Sequence, residues 1–128
     1  MRTFKIAVYG TLMKGERNER WGQDALEREP CVIRGRLYDT GWGYPAFVPD
    51  CATGQEVAAE MLTVTAATRD RMDVLEGFPR LYRREDVLAM AGGQEAKAQV
   101  YVMNRLPDGA RPIACGDWRE YRRKVENS

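Results

Sequence analysis

Two short clusters in this chain combine residue types that could do chemistry. The first is Val8-Tyr9-Gly10-Thr11-Leu12-Met13-Lys14-Gly15, which closes an apolar alternation of Phe4, Ile6 and Val8 with a glycine that lets backbone come close to a ligand. Main-chain amides in such a turn can face developing negative charge, and Thr11 adds a hydroxyl. The second cluster is Leu75-Glu76-Gly77-Phe78-Pro79-Arg80-Leu81-Tyr82-Arg83-Arg84, where one carboxylate stands between apolar neighbours at a helix-stopping glycine. Glu76 is therefore the candidate general acid/base, with Leu75, Phe78 and Leu81 near enough in sequence to shield it from water. The competing carboxylates are Asp73, Glu85 and Asp86, whose expected fate is solvated ion pairing.

The chain contains no histidine, which removes Ser-His-Asp and Cys-His catalysis and any histidine-ligated metal site. Chemistry must then rest on carboxylate, lysine, tyrosine, thiol or backbone amide. Twenty basic and nineteen acidic residues leave a net charge of +1, far from the positive field that nucleic acid binding needs, so no nucleic acid partner is expected. Cys31, Cys51 and Cys115 lack C-x-x-C spacing and cannot all pair within one chain, which suits a reducing compartment. No apolar run approaches the length of a membrane span and the N-terminus does not read as a signal peptide, so a soluble, cytoplasmic protein is expected.

The elements that must position these clusters follow from periodicity. A length of 128 residues suits a single domain over 1–128 with a substantial core. Strand alternation is expected over residues 4–9, 31–38, 56–64, 83–90 and 96–103, the last two joined as a hairpin across Gly92-Gly93. In the second of these, Cys31, Ile33, Gly35 and Leu37 share one face, and Arg34 and Arg36 the other. Helices are expected over 17–27, over 68–76 with Gly77 as its stop, and from Asp117 to about Glu126, where Asp117 and Glu120 form an Asp variant of the capping box. Residues 40–54 are too irregular for an element and too apolar for a linker, and are expected to line a pocket. The three tryptophans, Trp21, Trp42 and Trp118, read as packing residues. The fold class is α+β, with a curved, mostly antiparallel sheet closing toward a small barrel and a few interspersed helices.

Four segments in register resemble the gamma-glutamylcyclotransferase-like family, in its gamma-glutamylamine cyclotransferase and AIG2-like branch. They are Tyr9-Gly10-Thr11-Leu12, then Gly35-Arg36-Leu37-Tyr38-Asp39 with Gly43-Tyr44-Pro45-Ala46, then Glu76-Gly77-Phe78-Pro79 with Leu81-Tyr82-Arg83-Arg84, and Gly116-Asp117-Trp118. The resemblance implies a curved sheet with a few helices, no cofactor, no metal, and release of 5-oxoproline from a small-molecule gamma-glutamyl amide. Carried over by position, it implies a catalytic Glu76 and substrate binding by Tyr9, Gly10, Thr11, Leu12 and Tyr82, with Tyr44 a weaker candidate. The chain departs from many relatives in carrying Met13-Lys14-Gly15 where they have Arg-Arg or Arg-x-Gly, which leaves the charge at the pocket mouth open.

The chemistry fits these residues. A gamma-glutamyl compound carries its nucleophile, the alpha-amino group, and its electrophile in one molecule, so the protein needs to hold a near-attack conformer and move a proton. An alpha-amino pKa of about 8 against a Glu near about 4.3 makes that transfer uphill by roughly 5 kcal/mol, and a Glu raised to about 6.5 reduces it to roughly 2 kcal/mol. An elevated Glu76 pKa is therefore expected. The alternatives are a non-catalytic protein that binds a small metabolite in the same pocket, and gamma-glutamyl transfer to another amine.

Overall fold

The structure, a computed structural model, describes residues 2–126. Its strands are β1 (Thr3–Val8), β2 (Glu27–Asp39), β3 (Pro45–Pro49), β4 (Gln55–Thr65), β5 (Tyr82–Ala91), β6 (Gln94–Met103) and the two-residue β7 (Arg111–Pro112). The helices are α1 (Ala66–Glu76) and α2 (Trp118–Glu126), with one 3-10 turn at Glu19–Gly22. The sheet runs β3-β2-β4-β1-β6-β5, and a Val32–Met90 pairing between β2 and β5 closes β2, β4, β1, β6 and β5 into a five-stranded barrel. All pairings are antiparallel except β1 with β6, so the sheet is mixed.

Alternation explains the two-sided core. In β1, Ala7 and the following Tyr9 join Ile33, Val57, Ala59, Ala98 and Val100 inside the barrel. Phe4, Ile6 and Val8 face the other way, onto Leu62, Val64, Met72 of α1, Tyr82 and Tyr101. With both faces covered, residues 6–10 are buried without a break. In β2 the predicted faces hold: Cys31, Ile33, Gly35 and Leu37 are buried while Arg34 and Arg36 are exposed. Gly92 and Gly93, at φ 57° and 80°, supply the turn of the β5–β6 hairpin.

Three expectations need correction. No helix spans 17–27; the chain makes one 3-10 turn, and by Glu27 it has entered β2, paired with Thr63 of β4. Trp21 and Ala25, which gave that segment a helical spacing, pack on the helix-side core from a turn instead. Residues 40–54 are not wholly irregular, because residues 45–49 form an edge strand bounded by prolines, paired with β2 alone. Trp42 is 60% exposed, whereas Trp118 is buried in the barrel.

The ends of the two correctly placed helices are set by their caps. Thr65 caps α1, its hydroxyl accepting from Thr68 N–H at 3.3 Å, and Gly77 ends it in the left-handed region at φ 69°. Asp117 caps α2, accepting from Glu120 N–H at 3.2 Å, while the Glu120 carboxylate turns to Lys124 at 3.0 Å instead of closing the box.

Phe47 shows how tightly the edge strand is tied to the barrel. Its ring is 1% exposed, and a Cβ added at Gly35 would lie 2.5 Å from it and 2.4 Å from the Val48 carbonyl. Phe47→Ala should therefore cost about 3–5 kcal/mol of stability, read as a shift of the denaturant midpoint without a change of slope.

Candidate functional site

A cavity of about 260 Å³ opens between the loop after β1, the end of α1 and the start of β3. Tyr9, Gly10, Thr11, Leu12, Tyr82, Glu76 and Tyr44, the residues singled out by sequence, all line it. Tyr101, Arg17, Asn18, Pro45, Leu75 and Leu81 complete most of the wall. More than sixty residues of chain separate the two clusters, and the pairing of β1 with β4, followed directly by α1, brings them together.

Glu76 occupies the last residue of α1, just before Gly77 turns the chain away. Its carboxylate makes no hydrogen bond or ion pair with any of the described residues. Burial pushes its pKa from the ordinary 4.5 up to about 7. The shielding differs in detail from expectation: Leu75 and Leu81 line the cavity, but Phe78 does not and instead lies under the Arg84 guanidinium at 4.2 Å.

Tyrosines supply the rest of the shield. Burial raises the pKa of Tyr9 first, with Tyr82 and Glu76 adding to the rise. Tyr44, Tyr82 and Tyr101 are likewise raised chiefly by burial, and the Glu76 carboxylate adds to each. The Tyr9 hydroxyl donates to the Tyr101 carbonyl at 2.7 Å, so it serves to tie β1 to β6, and the Tyr101 hydroxyl donates to Asp73. Asp73 is paired as expected, with Arg84 at 3.5 Å, but it is not solvated. Glu85 and Asp86 form exposed pairs with Arg83 and Lys97.

The loop after β1 is braced from behind. Glu60, 6% exposed on β4, accepts from the Lys14 amide at 2.7 Å and from Arg28 at 2.6 Å, and Arg28 also donates to the Leu12 carbonyl at 3.3 Å. Asn18 clamps the loop on the other side, its backbone N–H donating to the Thr11 carbonyl at 2.9 Å and its side chain to Thr11 Oγ1 at 3.0 Å. The Thr11 hydroxyl accepts that bond and keeps its proton to donate. Among the described residues, the amides of Gly10, Thr11 and Leu12 donate to no protein acceptor. Gly10 is also needed for packing: a Cβ there would lie 2.6 Å from the Pro45 ring, so the missing side chain admits β3.

Sequence reasoning missed Tyr101, Arg17, Asn18 and the brace Glu60. Tyr101 carried the alternation of β6, and Glu60 sat unremarked within a predicted strand. Arg17 and Asn18 were hidden by assignment to a helix. The three cysteines are free; Cys31 is buried, its thiol pushed up to about 12 chiefly by burial, and Cys51 and Cys115 are exposed. Among the described residues there is no cluster of side chains able to hold a metal ion, and no helix long and apolar enough to cross a membrane.

A family model described as gamma-glutamyl cyclotransferase, AIG2-like, matches residues 6–120. The chain belongs to this family. It is similar to the gamma-L-glutamyl-butirosin B gamma-glutamyl cyclotransferase of Niallia circulans, with 34% identity over 91% of this chain and 76% of that one. It is also 31% identical to a gamma-glutamylcyclotransferase family protein of Escherichia coli K12, over 89% of this chain and 95% of the relative. Among solved structures, an uncharacterized protein from Pyrococcus horikoshii superposes with a TM-score of 0.73 at 25% identity, covering 97% of each chain. A mouse AIG2-like protein shares the fold at a TM-score of 0.71 and 21% identity, over 81% of this chain and 79% of that one. The barrel with its two helices is thus the architecture of the gamma-glutamyl cyclotransferase, AIG2-like family, and the cavity lies within the matched residues.

The raised Glu76 pKa has a consequence for stability. The folded state holds the proton to about pH 7, whereas the unfolded chain releases it near 4.5, so in that window the folded state binds more protons and stability falls as pH rises. Above about pH 7 the full penalty applies, on the order of 3 kcal/mol. Glu76→Gln should therefore match the parent protein's stability below pH 4.5 and exceed it by up to about 3 kcal/mol at pH 8, measured by denaturant unfolding across that range.

Proposed function

We propose that the protein is a gamma-glutamyl cyclotransferase that releases 5-oxoproline and a free amine from a gamma-glutamyl amide, with Glu76 as general acid/base. The observation that carries this reading is a lone carboxylate of raised pKa sharing a cavity with the unpaired amides of Gly10, Thr11 and Leu12. Glu76 takes a proton from the alpha-ammonium group, and the freed nitrogen attacks the gamma-carbonyl carbon to close a five-membered ring. The loop amides and the Thr11 hydroxyl face the oxyanion of the tetrahedral intermediate, an interaction worth roughly 3–4 kcal/mol per donor. Glu76 gives that proton to the departing nitrogen as the amide C–N bond breaks. It then takes the second proton from the ring nitrogen and passes it to the released amine, which leaves as an ammonium. No enzyme nucleophile is needed, which suits a site whose lining offers none better than tyrosine and threonine hydroxyls.

With Glu76 near 7 and an alpha-amino group near about 8, the proton transfer is uphill by only about 1.4 kcal/mol, against roughly 5 for an ordinary Glu. Tyr82 and Tyr44 stay protonated and shape the wall around the glutamyl chain. The similarity to a relative named for gamma-glutamyl-butirosin supports a gamma-glutamyl substrate class.

Incubation with a panel of gamma-glutamyl amides should yield 5-oxoproline and amine in equal amounts. The acidic limb of kcat should lie near pH 7, because Glu76 must be ionised to accept the first proton. Glu76→Gln should lower kcat by about 10³-fold or more while remaining folded. Folded protein that releases no 5-oxoproline from any of the panel, or an acidic limb near pH 4.5, would overturn the reading.

A further inference from the structure

The cavity wall divides its charge unevenly. Glu76 is its one carboxylate and Arg17 its one cation; the remaining lining is backbone, hydroxyl, amide or apolar. A gamma-glutamyl group brings one ammonium and one carboxylate on the same alpha-carbon, and each needs a partner when it leaves water. Resting on the proposed cyclotransferase activity, we propose that Arg17 binds the alpha-carboxylate of the gamma-glutamyl group and so aims the adjacent amine at Glu76.

Three observations place the guanidinium for this task. Among the described residues it makes no ion pair or hydrogen bond, although the chain is rich in carboxylates. Its neighbours on both sides are fixed: Glu16 accepts from Trp118 Nε1 at 3.1 Å and from Arg122 at 2.6 Å, and Asn18 is clamped to Thr11. The Arg17 backbone therefore stands on a pinned segment at the cavity rim. Finally, the guanidinium packs on Gly43, where an added Cβ would lie 3.2 Å from Arg17 Nη1, and it is near enough to Tyr44 to oppose the rise in that phenol's pKa. Gly43, at φ 90°, thus makes room for the side chain beside the 40–44 turn.

Arg17 also borders a second, wider cavity beside α2, shared with Thr11, Asp39 and Tyr121. A role toward an anionic leaving amine there is the competing outcome. The test combines product binding with turnover. Calorimetry should show that the parent protein prefers 5-oxoproline to 2-pyrrolidinone, the same ring without the carboxylate. Arg17→Ala should reduce that preference by about 10- to 100-fold, and Arg17→Lys should retain most of it, with melting temperatures unchanged. In turnover, Arg17→Ala should raise KM for gamma-glutamyl amides far more than for 4-aminobutanoyl amides of the same amine. The binding arm needs no catalysis, so an Arg17-dependent preference in a protein that turns over nothing sustains this proposal while removing the cyclotransferase reading. Equal preference in the parent protein and Arg17→Ala, no binding of 5-oxoproline, or a loss that follows a carboxylate on the leaving amine would each overturn it.

Discussion

Taking most of the water away from the Glu76 carboxylate without giving it a cation costs folding free energy, and much of the surrounding structure is arranged to sustain that cost. A carboxylate set against a dry wall is disfavoured in its charged form. The same residue on an exposed helix end would titrate like any surface Glu. What holds it in place is the packing of α1 through Met72 onto Ile6, Val8, Leu62 and Val64, together with the left-handed Gly77 that turns the chain sharply behind it. The barrel supplies rigidity, because the strands that carry the cavity floor are buried on both faces.

The loop opposite is held by a buried charge network. Glu60 gathers the Lys14 amide, Arg28 and, at 3.6 Å, Arg119 of α2 around one carboxylate. Unlike Glu76, this acid has an amide and a cation hydrogen-bonded to it, and through them it orders the loop backbone. The two glutamates thus play opposite parts: one spends its hydrogen-bonding capacity to fix the loop, and the other keeps its capacity free. Because Arg119 and Arg122 both belong to α2 and reach the 14–16 segment, the C-terminal helix is part of the same scaffold.

The strands, the β5–β6 turn, the Gly77 stop and the Asp117 cap were legible because each leaves a local mark: alternation, Gly-Gly, Gly after a helix, Asp before one. The pairing of Glu76 with the Tyr9–Leu12 loop leaves no local mark and was legible only through the family resemblance, and the Thr65 cap went unread. What escaped notice depends on long-range contact. The 17–27 segment has a helical spacing of apolar residues, yet Asn18 is drawn to Thr11 and Glu27 to Thr63, and those contacts outweigh a weak propensity. The strand at residues 45–49 is too short and too rich in proline to announce itself, and exists because β2 extends past the end of its pairing with β4. Gly10 was visible as special, but no local pattern reveals that the Pro45 ring also fills the space beside it.

The tyrosines decide what the cavity can report about itself. Tyr9, Tyr44, Tyr82 and Tyr101 all have pKa values raised by burial and by the nearby Glu76, so each is a neutral phenol throughout the range in which Glu76 titrates. A phenol that cannot ionise is a fixed donor and a weakly polar wall, which keeps the dielectric low without competing for the proton. Raising one group toward neutrality while moving its neighbours away from it separates their titrations. Of the acidic groups lining the cavity, Glu76 alone then changes charge near pH 7, and a pH profile there follows a single carboxylate instead of a coupled cluster.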